Sequence, residues 1–123
     1  MKEFNSQICT SREQSERLLA LGLKKETADM GIYYSELYGV DRVFANDLFD
    51  EKPTFDVDEI PAWSLHRILL LIPKEVNIDG FRFPLRSDAV MRMGEADDMY
   101  EYLIGVLERT IKEGCFNKDY LGK

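Results

Sequence analysis

The fold is decided by residues 61–73, PAWSLHRILLLIP. This stretch contains the only Trp and the only His of the chain, and it ends in the longest apolar run, Ile68 to Ile72. A helix with so little polar surface has to be covered on most sides. We therefore predict a buried helix over 62–72, with Pro61 in its first turn, where the missing amide costs nothing, and Pro73 as its stop.

Length and composition indicate a folded globular chain. A length of 123 residues suits a single domain over 1–123, and 45% hydrophobic with 32% charged residues is typical of such proteins. No apolar run approaches the ~20 residues that span a bilayer, and residues 1–6 hold no apolar signal region. We expect a cytoplasmic protein with a loosely held C-terminal tail from about residue 116.

The two cysteines, Cys9 and Cys115, lie far apart in the sequence and form no Cys-x-x-Cys motif. This usage predicts free thiols in a reducing compartment. A disulfide that joins the two ends of the chain is the alternative.

The net charge of −7 is unevenly distributed along the chain. Residues 31–60 carry eight acidic and two basic side chains, whereas residues 61–94 carry five basic and three acidic ones. The overall field disfavours nucleic acid and anionic membranes as partners. The uneven distribution of charge is compatible with one strongly acidic surface segment.

Local signals place the first and last helices. Thr10 and Glu13 have the spacing of a capping box, and Gly22 suits the left-handed residue that ends a helix over about 11–21. Apolar residues recur at helical spacing over about 97–113. Gly105 lies inside that helix, and close approach of another element would explain it.

Strands are predicted in two regions, and two further regions are candidates. Residues 32–38 are rich in aromatic side chains, and 76–83 form a hairpin with Asp79-Gly80 as its two-residue turn. Ala89 to Met93 is a candidate third strand, and 42–49 is either a strand or irregular. The fold class is therefore α+β: a short antiparallel sheet, including the 76–83 hairpin, packed against about three helices.

Two short strings, Thr27-Ala28-Asp29-Met30 and Pro61-Ala62-Trp63-Ser64, occur in a familiar order between an opening and a closing helix. Over Ile8 to Gly114 the chain resembles a group of small uncharacterised proteins of prophages and mobile elements in gut Bacteroidales. Members of that group often carry a Cys-Trp pair near the position of Gly105, which this chain lacks. The resemblance implies a genomic setting and no activity, cofactor or substrate.

The leading functional hypothesis is a non-enzymatic accessory protein that acts by protein–protein contact, through the acidic segment 47–59 and exposed aromatic side chains. The acidic segment lacks the ligand spacing of an EF-hand loop, so docking to a basic partner is favoured over metal binding. No metal or cofactor is predicted. The candidate contact residues are Asp50, Glu51, Asp56, Asp58, Glu59, Trp63, His66 and Arg82.

Other readings stay open. A small enzyme or ligand-binding domain would have a pocket near Trp63 and His66, in which His66 contacts a carboxylate or a thiol. Three arginines, Arg82, Arg86 and Arg92, could line one face of the hairpin and meet phosphates or an acidic surface. A homodimer could form through an edge strand. The tyrosines that could add to an interface are Tyr33, Tyr34, Tyr38, Tyr100 and Tyr102.

Overall fold

The computed structural model describes residues 7–45 and 55–122. Within these ranges the chain forms four α-helices, a three-stranded sheet and a separate two-stranded sheet, both antiparallel, which confirms the α+β class. The elements in chain order are α1 (Arg12–Ala20), β1 (Met30–Ser35), β2 (Val40–Ala45), β3 (Ile60–Ala62), α2 (Leu65–Leu71), β4 (Val76–Ile78), β5 (Phe81–Phe83), α3 (Leu85–Met93) and α4 (Met99–Lys112).

The ends of α1 follow local sequence signals. The helix begins one residue later than predicted, because Ser11 and Gln14 form the capping box instead of Thr10 and Glu13. Its end is the predicted Schellman motif. Gly22 has φ +100°, and the amide of Leu23 donates to the carbonyl of Leu18 at 3.3 Å.

The three-stranded sheet has the order β2-β1-β3. Pro61 lies in β3, opposite Gly31 of β1, so its predicted place in the first turn of a helix is wrong. A proline is tolerated there because β3 lies at the edge of the described sheet, the position to which prolines in sheets are largely confined. The helix α2 begins only at Leu65, capped by the Ser64 side chain, and stops before Pro73 as predicted.

The hairpin β4–β5 has the predicted register, with Val76 opposite Phe83. Its turn residues both have positive φ, 50° at Asp79 and 82° at Gly80, as a type I′ turn requires. The hairpin does not join the other sheet, however.

Ala89 to Met93 is helical and not the predicted third strand. In α3 Ala89 is buried, and Leu85 and Met93, one turn before and after it, pack against the core, while Val90 and Met91 are exposed. The Arg86 side chain of α3 donates to the carbonyls of Leu70 and Ile72, each at 2.9 Å, and so satisfies the C-terminal end of α2.

The main core lies between the helices. Buried side chains from α1, α2 and α4 meet there with Trp63, which lies between β3 and α2; among them are Leu18, Ile68, Leu103 and Leu107. The segment 116–122 also belongs to this part of the fold, which corrects the prediction of a loose tail. Phe116 is buried, and the amide of Gly122 donates to the carbonyl of Gly22 at 2.7 Å.

Gly105 in α4 has open space around it. A Cβ atom built there meets no atom within 4 Å, so the predicted close approach of another element is wrong. We expect Gly105→Ala to raise the free energy of unfolding by about 0.5–1 kcal/mol, because alanine is the better helix former. Urea denaturation followed by circular dichroism measures the change.

The matched control is Gly114→Ala, where φ is +75° and a side chain is strained although space is available. That variant is expected to be less stable than the parent protein by about 1 kcal/mol. A destabilised Gly105→Ala would show that α4 does not tolerate a methyl group at this position.

Candidate interaction surface

The hairpin of β1 and β2 carries a concentration of exposed large apolar side chains. The turn between the strands spans residues 36–39, and β2 is an edge strand of the described sheet. Such side chains in a group are typical of contact surfaces, whereas isolated ones are ordinary. The exposed members are Tyr33, Tyr34, Leu37, Tyr38, Val40 and Val43.

Aromatic contacts order the outer face of this hairpin. The ring of Phe44 lies over Gly31, where any side chain would overlap it. Tyr33 packs beside Phe44, with ring centroids 6.1 Å apart. The Arg42 guanidinium lies 4.9 Å from the centroid of the Tyr38 ring, within cation–π range.

The opposite face of the hairpin combines aromatic and acidic side chains around a hollow. We call this surface the aromatic–acidic patch; its residues are Tyr34, Glu36, Asp41 and Asp58, and Arg12, Gly39 and Val40 complete the lining of the hollow. Tyr34 and Asp41 are directly opposite in the strand register. Asp58, which belongs to the predicted acidic segment, lines the same hollow as these two residues.

Arg12 and Asp41 form the one ion pair within this hollow among the described residues. The guanidinium donates two hydrogen bonds to the carboxylate, at 2.7 and 3.1 Å. These bonds lower the pKa of Asp41 below its ordinary value. Glu36 and Asp58 are exposed. Three carboxylates against one guanidinium leave the hollow with a charge of −2.

The predicted acidic contacts are only partly described. Asp50 and Glu51 lie outside the described residues, as does residue 47, where the predicted acidic segment begins. Asp56 and Asp58 are exposed. The carboxylate of Glu59 accepts a hydrogen bond from the amide of Asp56 at 2.9 Å and closes a local turn.

Trp63 and His66 lie in different environments. Trp63 is completely buried, and its indole nitrogen donates to the Thr27 hydroxyl at 3.0 Å. It is a core residue and not a partner contact. His66 is exposed on α2, and no hydrogen bond or ion pair joins it to another residue in ranges 7–45 and 55–122. The hypothesis of a pocket near these two residues therefore gains no supporting contact.

The three arginines do not share one face. Arg82 lies on the hairpin β4–β5, exposed and opposite Asn77. Arg86 donates hydrogen bonds to carbonyls at the C-terminal end of α2. Arg92 forms an ion pair with Asp88, one turn earlier in α3, at 3.0 Å. The predicted arginine-lined hairpin face is wrong, because residues 85–93 form a helix.

The tyrosines and cysteines divide between core and surface. Tyr100 is buried and Tyr102 half-buried, whereas Tyr33, Tyr34 and Tyr38 are exposed. Both cysteines are free. Cys9 is buried, and burial together with the nearby Asp29 carboxylate raises its pKa to about 11. Cys115 is exposed, so the two thiols do not meet.

Among the described residues, no three side chains of the metal-ligating types lie close enough to hold an ion, and no helix is long and apolar enough to cross a bilayer. Comparison of the chain with protein-family models, with curated proteins and with solved structures finds no match. Any functional assignment therefore has to come from the surface itself.

Tyr34 and Asp58 are both among the predicted contact residues, but their proximity was not predicted. Glu36 and Asp41 were not predicted as contacts. A signal was available, since Gly39 lies between an aromatic run and a β-branched run, a pattern typical of a hairpin turn. Reading 40–45 as its second strand would have placed Asp41 across from Tyr34.

Proposed function

We propose that this protein is a non-enzymatic accessory protein that binds another protein through the aromatic–acidic patch. The observation that carries the proposal is the placement of Tyr34 beside Glu36 and Asp58, all exposed, around a hollow of charge −2. Tyrosines supply large rigid contact area. Glu36 and Asp58 form no ion pair with another described residue, and such carboxylates favour a basic partner. The partner we propose is a protein that presents lysine or arginine side chains to the hollow.

The resemblance to prophage and mobile-element proteins supports a role for this binding within a bacterial cell. An accessory protein of such an element acts on host or element proteins in the bacterial cytoplasm, where free thiols such as Cys9 and Cys115 persist. β2 lies at the edge of the described sheet, and such an edge also suits homodimerisation as an addition to partner binding.

The test begins with capture of partners by tagged protein from nuclease-treated host lysate and their identification by mass spectrometry. The partner is then purified, and its affinity is measured by calorimetry for the parent protein and for the double variant Glu36→Lys with Asp58→Lys. We expect the double variant to bind at least about tenfold more weakly, and the parent affinity to fall as salt is raised.

Glu75→Lys is the matched control, because Glu75 is exposed and lies outside the hollow. It should leave the affinity unchanged. The proposal fails if the double variant binds as well as the parent protein. It also fails if proteins are captured from untreated lysate but none from nuclease-treated lysate, since nucleic acid would then be the true ligand.

A further inference from the structure

A groove opens on another side of the molecule, between the hairpin β4–β5 and the helices α3 and α4. Its volume is about 520 Å³, within the range of 300–1,000 Å³ that is usual for small-molecule pockets. Its walls are mostly apolar. The apolar lining residues are Val76, Ile78, Phe83, Leu85, Ala89 and Val106.

The hairpin does not close down on the two helices. Its apolar residues alternate onto one side, yet Ile78 is 54% and Phe81 66% exposed. An isolated two-stranded hairpin is marginally stable in water and needs an apolar surface to pack against. The hairpin β4–β5 lacks part of such a packing surface, because the groove separates it from α3 and α4.

The charges at the rim of the groove cancel. Arg92 pairs with Asp88, and the remaining charged lining residues are Arg109 and Glu113. Two cations and two anions give no net preference for a charged ligand. The half-buried Tyr102 adds a hydroxyl group that can bond to a polar group of a ligand.

The size of the groove suits a small molecule. Its volume of about 520 Å³ lies within the range of small-molecule pockets, and β4–β5, α3 and α4 wall it on three sides.

We propose that this groove binds an uncharged small molecule with an apolar body, of acyl or aromatic type. The apolar walls hold the body, and Tyr102 meets its polar end. Binding completes the surface beneath the hairpin and so stabilises the folded protein. This site is separate from the aromatic–acidic patch and does not depend on it.

The test titrates the full chain with N-phenyl-1-naphthylamine, an uncharged apolar dye whose emission rises in apolar surroundings. We expect a saturable rise with one dye per chain and a higher midpoint of thermal unfolding. Decanol should displace the dye at least as well as decanoate, because the rim has no excess of positive charge.

Ile78→Asp places a carboxylate in the groove, and its exposure means that the fold should tolerate the change. We expect the dye to bind this variant at least about tenfold more weakly, since a charge in an apolar site is unfavourable. Phe81→Asp is the matched control, because Phe81 is exposed on the same side of the hairpin but does not line the groove. It should retain most of the affinity.

Four results would overturn the proposal. The first is a parent protein that shows no saturable signal, and the second is a dye affinity that is equal in the parent and Ile78→Asp. A strong preference for decanoate would contradict the uncharged ligand. Release of a dimer into monomers by the dye would show that a second copy of the chain occupies the groove.

Discussion

Replacing Trp63 by alanine should lower the free energy of unfolding by about 3–5 kcal/mol, the range for removing a fully buried large aromatic side chain. The indole has no exposed surface and lies within the helical core. Its loss leaves a cavity and also removes the hydrogen bond to Thr27. Since small domains are stable by only about 5–15 kcal/mol, the variant should be close to its limit of folding.

Urea denaturation followed by circular dichroism at 222 nm measures this change without relying on the fluorophore that the substitution removes. Trp63→Phe keeps most of the volume and loses the indole donor, so it should fall between the parent and Trp63→Ala. The control is Leu37→Ala, at a side chain that is 83% exposed, with an expected change within about 0.5 kcal/mol. A loss below about 1 kcal/mol for Trp63→Ala would contradict the buried position.

The second large effect is expected at Thr10, whose hydroxyl joins the segment before α1 to the segment between β3 and α2. It accepts a hydrogen bond from the Trp63 amide at 3.0 Å and shares another with the Ser15 hydroxyl at 2.8 Å. Thr10→Val preserves the shape but leaves the buried Trp63 amide without an acceptor. We expect a loss of about 1–3 kcal/mol, the usual cost of an unsatisfied buried polar group.

Thr10→Ser distinguishes the effect of the hydroxyl from that of the methyl group, because serine keeps the hydroxyl and lacks the methyl group. It retains both hydrogen bonds and should be clearly more stable than Thr10→Val in the same urea titration. If the valine variant were the more stable of the two, the methyl contact and not the hydrogen bonds would hold this segment in place.

Features that depend on neighbours in sequence could be predicted. The Asp79-Gly80 turn demands positive φ at both positions, and it fixes the hairpin register without help from the rest of the chain. Gly22 likewise ends α1 as predicted. In both cases one residue type satisfies one backbone requirement, so a local reading is sufficient.

Features that depend on distant partners could not be predicted. Pro61 belongs to a strand because Gly31 lies opposite it, a pairing across thirty residues that no local pattern reveals. Residues 89–93 contain adjacent apolar side chains, which suggested a strand. Helix α3 forms nonetheless, because Ala89 and Met93, one turn apart, pack against the core while Val90 and Met91 face solvent.

The candidate site shows the same division. Composition alone identified tyrosines and acidic residues as possible contacts. Their grouping depends on the β1–β2 register, which sets Asp41 across from Tyr34, and on the return of the chain that brings Asp58 to the same hollow. The groove beneath the hairpin β4–β5 was not predicted, because the apolar side of this hairpin was expected to pack fully against the helices.

The contrast between the two thiols has a practical consequence for experiments. Maleimides react with thiolates. Cys9 is buried, and its raised pKa of about 11 keeps the thiol protonated at neutral pH. Cys115 is exposed and lines the groove. At neutral pH a single fluorescent label should therefore attach at Cys115 without mutagenesis, which places a spectroscopic reporter beside the surface that most needs one.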